Sequence, residues 1–258
     1  MAAGLGSPLL DFFKRGEVAR DVRLLAAQGA VAPRPLEQLG ILMILTSDAD
    51  SEIRDIANAT LGSLPPELLA SFIARSDVPL ELREFFIARG IAPSATPAPD
   101  FDEPLLDADK SELEFSQQDE ESALTFGQRL ANMDVPEKLK CAMKGTREMR
   151  AVLIRDPNRL VASAVLSCPK VNEAEVEAFA KMGNVSEDIL RTIANTRAWT
   201  KNYAVVLSLV KNSKTPVAMS MNLMQRLTES DVKKVAADRN VPEALRLAAK
   251  KRAAANRA

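Results

Sequence analysis

The chain has 258 residues, 47% of them apolar and 27% charged, with a formal net charge of -1. That is enough for a folded core in one large or two small domains. With no histidine at all, Ser-His-Asp and Cys-His nucleophiles, imidazole general bases and His-ligated metals are excluded.

Aromatics make up 4% of the chain while Ala, Leu and Val abound, which favours closely packed helices. No alternating apolar and polar run bounded by Asn-Gly or Gly-Gly appears, so hairpins of strand are not expected. The predicted fold class is all-α. The opening stretch, MAAGLGSPLLDFFKRGE, has no basic region ahead of an apolar run and is broken by Asp11 and Lys14, so it is expected to be neither a signal peptide nor a membrane span. The longest apolar run, Leu39 to Leu45, is too short to cross a bilayer, and a soluble cytoplasmic protein is expected.

Helix openings then recur along the chain. DVPLELREF begins at Asp77, DVPEKLKCA at Asp134, NVSEDILRTIA at Asn184 and NVPEALRLAA at Asn240. An Asp, Asn or Ser beside Pro stops one helix and caps the next, because its side-chain oxygen accepts an orphan N–H while Pro in the first turn needs no donor.

Charge divides the chain into three. Residues 1–90 carry 9 Lys+Arg against 12 Asp+Glu, residues 91–122 carry 1 against 10, and residues 123–258 carry 24 against 13. The middle piece, rich in Pro, Ser and acid, has too little apolar surface to offset its ordering entropy and is predicted to be a disordered linker. Its Phe101, Leu105, Leu106, Leu113 and Phe115 could form a short docking motif. The expected domains are therefore a small N-terminal helical lobe over 1–90, an acidic linker over 91–122 and a basic C-terminal helical lobe over 123–258.

Within the last piece Asp156, Asn184, Asn212 and Asn240 fall 28 residues apart. Five residues after them stand Val161, Ile189, Val217 and Leu245, nine after stand Val165, Ile193, Met221 and Ala249, and five before stand Ala151, Phe179, Leu207 and Val235, all apolar. A helix of about ten residues is marginal alone and a hairpin buries one face only, so such units are expected to stack as an α-solenoid with a repeat of about 28 residues.

LTSDADSEIRDIANATLGSL, Leu45 to Leu64, resembles the second helix of a HEAT repeat, and VKNSKTPVAMSMNLMQRL, Val210 to Leu227, resembles the junction of leucine-rich-repeat-variant proteins. Both families are α-solenoids that act mostly as scaffolds and adaptors, with a few that bind or repair DNA. The resemblance implies that fold over most of 17–90 and 134–252. It also implies that Arg54, Arg83, Lys140, Arg191 and Arg246 hold the basic position after the cap, laddering to an acidic residue of the next repeat.

Candidate sites follow from composition. Cys141 and Cys168 lack CxxC spacing and read as reduced core thiols. No Gly-rich phosphate loop is present, and Glu173, Glu175 and Glu177 read as a solvated first helical turn. An enzyme is not expected, nor a cofactor or metal. The stretch TRAWTKNYAVV holds the only Trp and the only Tyr. Trp199 and Tyr203, four apart, are expected on one helix face with Arg197, Lys201 and Asn202 around them. The cluster reads either as a partner-binding patch, similar to the Trp and Asn ladders with which armadillo solenoids grip peptides, or as Trp199 wedged between hairpins as filler. Met182, Met219, Met221 and Met224 read as core packing or an adaptable surface. The expected function is a non-catalytic scaffold or adaptor for a protein or peptide. The alternative is sequence-independent binding of a nucleic-acid backbone by the basic C-terminal lobe.

Overall fold

The computed structural model describes residues 7–32, 34–99, 105–106 and 126–255. Every regular element among the described residues is an α-helix, seventeen in all, so the protein is all-α. No helix among them is long and apolar enough to cross a membrane. The acidic stretch falls largely outside the described residues, Phe101, Leu113 and Phe115 included.

The chain forms two compact units, one of residues 1–153 with 158–169, the other of residues 154–157 with 170–258. The expected domain junction at 91–122 thus lies inside the first unit. In that unit the helices are α1 (Pro8–Lys14), α2 (Arg20–Ala27), α3 (Pro35–Leu45), α4 (Ser51–Gly62), α5 (Pro66–Ile73), α6 (Leu80–Ala88), α7 (Phe126–Asn132), α8 (Val135–Lys144), α9 (Arg147–Leu153) and α10 (Arg159–Ser167). Of the recurring openings in this unit, the one at Asp134 is a side-chain cap, whereas α6, after Asp77, has Pro79 at its cap position and no side-chain cap bond. Ser7, Asp50 and Asn158 accept N–H groups at the heads of α1, α4 and α10, and Asp134 with Glu137 forms a full capping box on α8.

α3 is buried on nearly all sides, with Leu39, Ile41, Leu42 and Leu45 at 1% exposure or less. A helix apolar all round belongs at the centre of its unit. It packs against α1, α2, α4 and α6, while α1 also reaches α10 and α2 also reaches α8. Helices more than a hundred residues apart therefore share one core. On α2, Arg20 donates to Asp50 and Glu52 at 2.7 and 2.5 Å, and Arg23 to both oxygens of Asp48 at 2.6 Å, tying α2 to the head of α4.

The second unit holds α11 (Glu173–Lys181), α12 (Glu187–Asn195), the single turn α13 (Arg197–Thr200), α14 (Tyr203–Lys211), α15 (Val217–Met224), α16 (Glu229–Ala237) and α17 (Glu243–Ala255). Asn172, Asn202 and Thr228 cap α11, α14 and α16. Each long helix packs on its neighbours in the chain: α14 touches α11, α12, α15 and α16, and α17 touches α15 and α16. The core is a line of apolar side chains, Val176, Phe179, Ile193, Val206, Leu209, Val232 and Val235, all at 1% exposure or less. Between hairpins, cationic side chains close helix ends that have run out of N–H partners. Arg226 donates to the Thr200 carbonyl at 2.5 Å, and Arg252 to the carbonyls of Met224, Gln225 and Leu227.

Candidate partner-docking surface

Equivalent helices of the second unit do not follow the 28-residue count. α11, α14 and α16 start at 173, 203 and 229, and α12, α15 and α17 at 187, 217 and 243, so both series step by 30 and then by 26. The extra turn α13 lengthens the first link, and the link from α15 to α16, residues 225–228, is short. The average of the two steps is the sequence period, but Asn212 is displaced by two places from Asn184 and Asn240. It ends α14 and is 7% exposed, while the other two are exposed in turns. Its Nδ2 donates to the Ala180 and Met182 carbonyls at 2.8 and 3.0 Å and its Oδ1 accepts from Lys214 N–H at 3.0 Å.

The shift decides where the periodic apolar residues go. Most are buried, but Ala151, Leu207 and Met221 are half-buried and Val217 is 36% exposed. Three of these four stand on α14 and α15. In the true register Leu207 takes the place of Glu177 and Lys233, Val217 that of Glu187 and Glu243, and Met221 that of Arg191 and Leu247. Five of those six counterparts are charged, so this hairpin carries apolar side chains where its sisters are mostly ionic. Met182 and Met219 are half-buried as well, whereas Met224, at 2% exposure, is core.

A cleft of about 350 Å³ opens between α11 and α14. Ala204, Leu207, Ser208 and Lys211 form its α14 wall at helical spacing, Asn212 closes its end, and Glu177 and Lys181 form the α11 wall. The two wall ions are paired at 2.5 Å. The cleft therefore offers an apolar floor with one ion pair and the Lys211 ammonium at its rim.

The aromatic cluster is arranged differently from expectation. Trp199 and Tyr203 do not share a helix: α13 ends at Thr200, and Asn202, extended at φ -74° and ψ 120°, caps a new helix by accepting from Ala204 N–H. The capping preference of Asn overrides the spacing of four. Asn202 Nδ2 also donates to Glu173 at 2.7 Å, towards α11. Tyr203 turns to α16, where its hydroxyl donates to Asp231 Oδ2 at 2.6 Å and accepts from Thr228 N–H at 3.2 Å. Those bonds, led by the one from Tyr203 and followed by Lys234, hold the Asp231 carboxyl down at about 2. Arg197 and Lys201 are exposed and Trp199 is half-buried. Of the five expected partner-binding residues, Asn202 and Tyr203 thus bind neighbouring hairpins, and the two cations face solvent.

Three of the five basic positions after the caps differ from the implied acid ladder. Arg54 donates to the Asp48 and Ala49 carbonyls and Arg83 to those of Ile73 and Arg75, closing the preceding turns, while Arg191 pairs with Glu187 on its own helix. Ionic rungs between hairpins occur instead through Arg20 and Arg23. Among the described residues no group of His, Cys, Asp or Glu could hold a metal ion. Both thiols are free and buried, and burial followed by Glu137 pushes Cys141 up. Compared with protein-family models, curated proteins and solved structures, the chain matches none.

Proposed function

We propose that the protein is a non-catalytic scaffold or adaptor, a HEAT-like α-solenoid in its second unit, that docks a protein or peptide partner on the α14–α15 hairpin. The observation that carries this reading is the register comparison: Leu207, Val217 and Met221 remain at or near the surface where equivalent positions are mostly charged. Apolar groups left accessible in one repeat and not in its sisters are what a docking face needs, because their burial on association supplies the non-directional part of affinity. The cleft beside Leu207 gives an apolar anchor a place to sit, the Lys211 ammonium lies at its rim, and the exposed Arg197 and Lys201 precede α14 in the chain, a basic surplus that favours an acidic partner.

The test replaces the three by what their sisters carry, as L207E, V217E and M221R together. Since the sister hairpins tolerate those charges, thermal unfolding is expected to stay within about 0.5 kcal/mol of the parent. Proteins captured from the native host by the full chain are expected to be lost on this variant. Capture that is equal on both chains removes the reading. The surplus of cations in residues 123–258 supports a second reading, binding to a nucleic-acid backbone. A gel-shift series separates the two, because phosphate contacts weaken steeply with salt.

A further inference from the structure

Gln38, on α3, is 1% exposed and its carboxamide is directed at the main chain of Leu106, 68 residues away. Leu106 N–H donates to Gln38 Oε1 at 3.1 Å, and Gln38 Nε2 donates to the Leu106 carbonyl at 2.9 Å and to the Gly29 carbonyl at 2.6 Å. A primary amide offers the same acceptor and donor as a peptide unit, so Gln38 pairs with both main-chain groups of Leu106 as a neighbouring strand would. These bonds read no side chain. Selection for the side chain comes from Gly29, at φ +84°, where an added Cβ would stand 3.0 Å from Leu106 Cδ1 and 3.1 Å from its Cβ. The leucine occupies the room that glycine leaves.

We propose that Gln38 and Gly29 form a docking site for a leucine-bearing peptide, and that Leu106, from the chain's own acid-rich stretch, is its resident occupant in cis. The site is separate from the α14–α15 surface and does not depend on it. The chemistry of the seated segment defines the partner: a leucine whose N–H and C=O are both free, beside a proline that limits the unbound peptide's freedom, among carboxylates. Two main-chain bonds and a half-buried leucine hold the segment. That anchorage is far smaller than the core of the unit, so the segment leaves by local opening with the helices intact. A partner peptide of the same chemistry then enters a site whose buried amide would otherwise keep only its bond to Gly29 and lose the two to Leu106.

The experiment empties the site from the occupant's side, which leaves the helices untouched. In the full chain, Leu106→Pro removes the N–H that Gln38 accepts. A fluorescent synthetic peptide with the sequence of residues 101–110, FDEPLLDADK, is titrated by anisotropy against the parent and this variant. The tethered segment competes at an effective concentration of order millimolar, so binding to the emptied chain is expected to be at least about tenfold tighter than to the parent. The peptide carrying Pro at the second leucine should not bind. Adding Gln38→Met to the emptied chain should abolish binding while its far-UV circular dichroism stays that of the parent; if that variant does not fold, the proline peptide supplies the same control. Equal binding to parent and emptied chains, binding of the proline peptide, or no binding to the emptied chain at millimolar peptide overturns the proposal. So does a concentration-dependent doubling of mass in the parent that Leu106→Pro abolishes, which would give the site to a second copy.

Discussion

The two units solve the same problem, hiding one face of a short helix, with partners taken from different distances along the chain. In the first, α1 and α2 lie against α10 and α8, contributed from more than a hundred residues away, and both pack on the largely buried α3. In the second, α14 finds its partners in the adjacent hairpins. Their polar devices differ accordingly. The first unit buries side chains that join distant segments: Glu37, 6% exposed, accepts from Ser167 Oγ at 3.4 Å, and Gln38 holds Leu106. In the second, Asn212, Arg226 and Arg252 close the ends of neighbouring helices. Long-range cores are costly to close and local ones are not, because loop-closure entropy grows with separation.

The largest expected effect tests the crowding at a helix junction of the first unit. Gly145 ends α8, and a Cβ there would run into the Cys141 carbonyl oxygen and stand 2.6 Å from Met149 Sδ. Gly145→Ala is expected to cost about 3 kcal/mol in urea unfolding, the upper part of the overpacking range. A cost under about 1 kcal/mol would show that the α8–α9 junction yields instead. Next, Asn212→Ala strips two bonds to the end of α11 and one to the turn before α15, for about 2 kcal/mol. The equivalent change at exposed Asn184 or Asn240 should stay within about 0.5 kcal/mol. Equal costs at all three would restore the uniform 28-residue register.

Glu37 sharpens the contrast through pH. Burial, opposed by the hydroxyls of Ser7 and Ser167 and by the charge of Arg34, raises its carboxyl above the ordinary range. The folded state therefore keeps a proton that the unfolded chain releases, and stability falls as pH rises from the ordinary carboxylate range through the folded value. Glu37→Gln should raise the urea midpoint at pH 7 and leave it nearly unchanged at pH 3; a loss at pH 7 would show that the carboxylate is stabilising. Asp231 has the opposite sign. Its carboxyl, held at about 2, stabilises above the ordinary carboxylate range and loses that contribution as pH falls towards 2. Tyr203→Phe, which removes the leading bond, should cost about 0.5 kcal/mol at pH 7 and less at pH 2.5, a difference that pH-dependent thermal melts would detect.

Local features were legible in the residues. Asp134 announces its helix because a capping oxygen acts on N–H groups two or three places away. The alternation of helix and break, and the all-α class, follow from the same short-range chemistry. The aromatic cluster was visible as a composition anomaly but not as a geometry, since the spacing of Trp199 and Tyr203 says nothing about the cap at Asn202 that parts them. An average period sets Leu207, Val217 and Met221 among equivalent apolar positions, without saying which of them face outward. Two unequal links, one lengthened by α13 and one shortened before α16, leave that average intact while moving one hairpin two places out of step. Gln38 and Glu37 gave no signal, lying in an apolar stretch whose partners are 68 and 130 residues distant.

By itself, then, the order of amino acids determined where helices begin and end, that no imidazole chemistry operates, and that the chain is built of short amphipathic pieces. Tertiary structure alone decided which pieces share a core, which repeat leaves its apolar groups outside, and that a buried amide holds a leucine from the acidic stretch. The reason is one of range: caps and helical periodicity act within a few residues, whereas burial is settled by whichever surfaces meet in space.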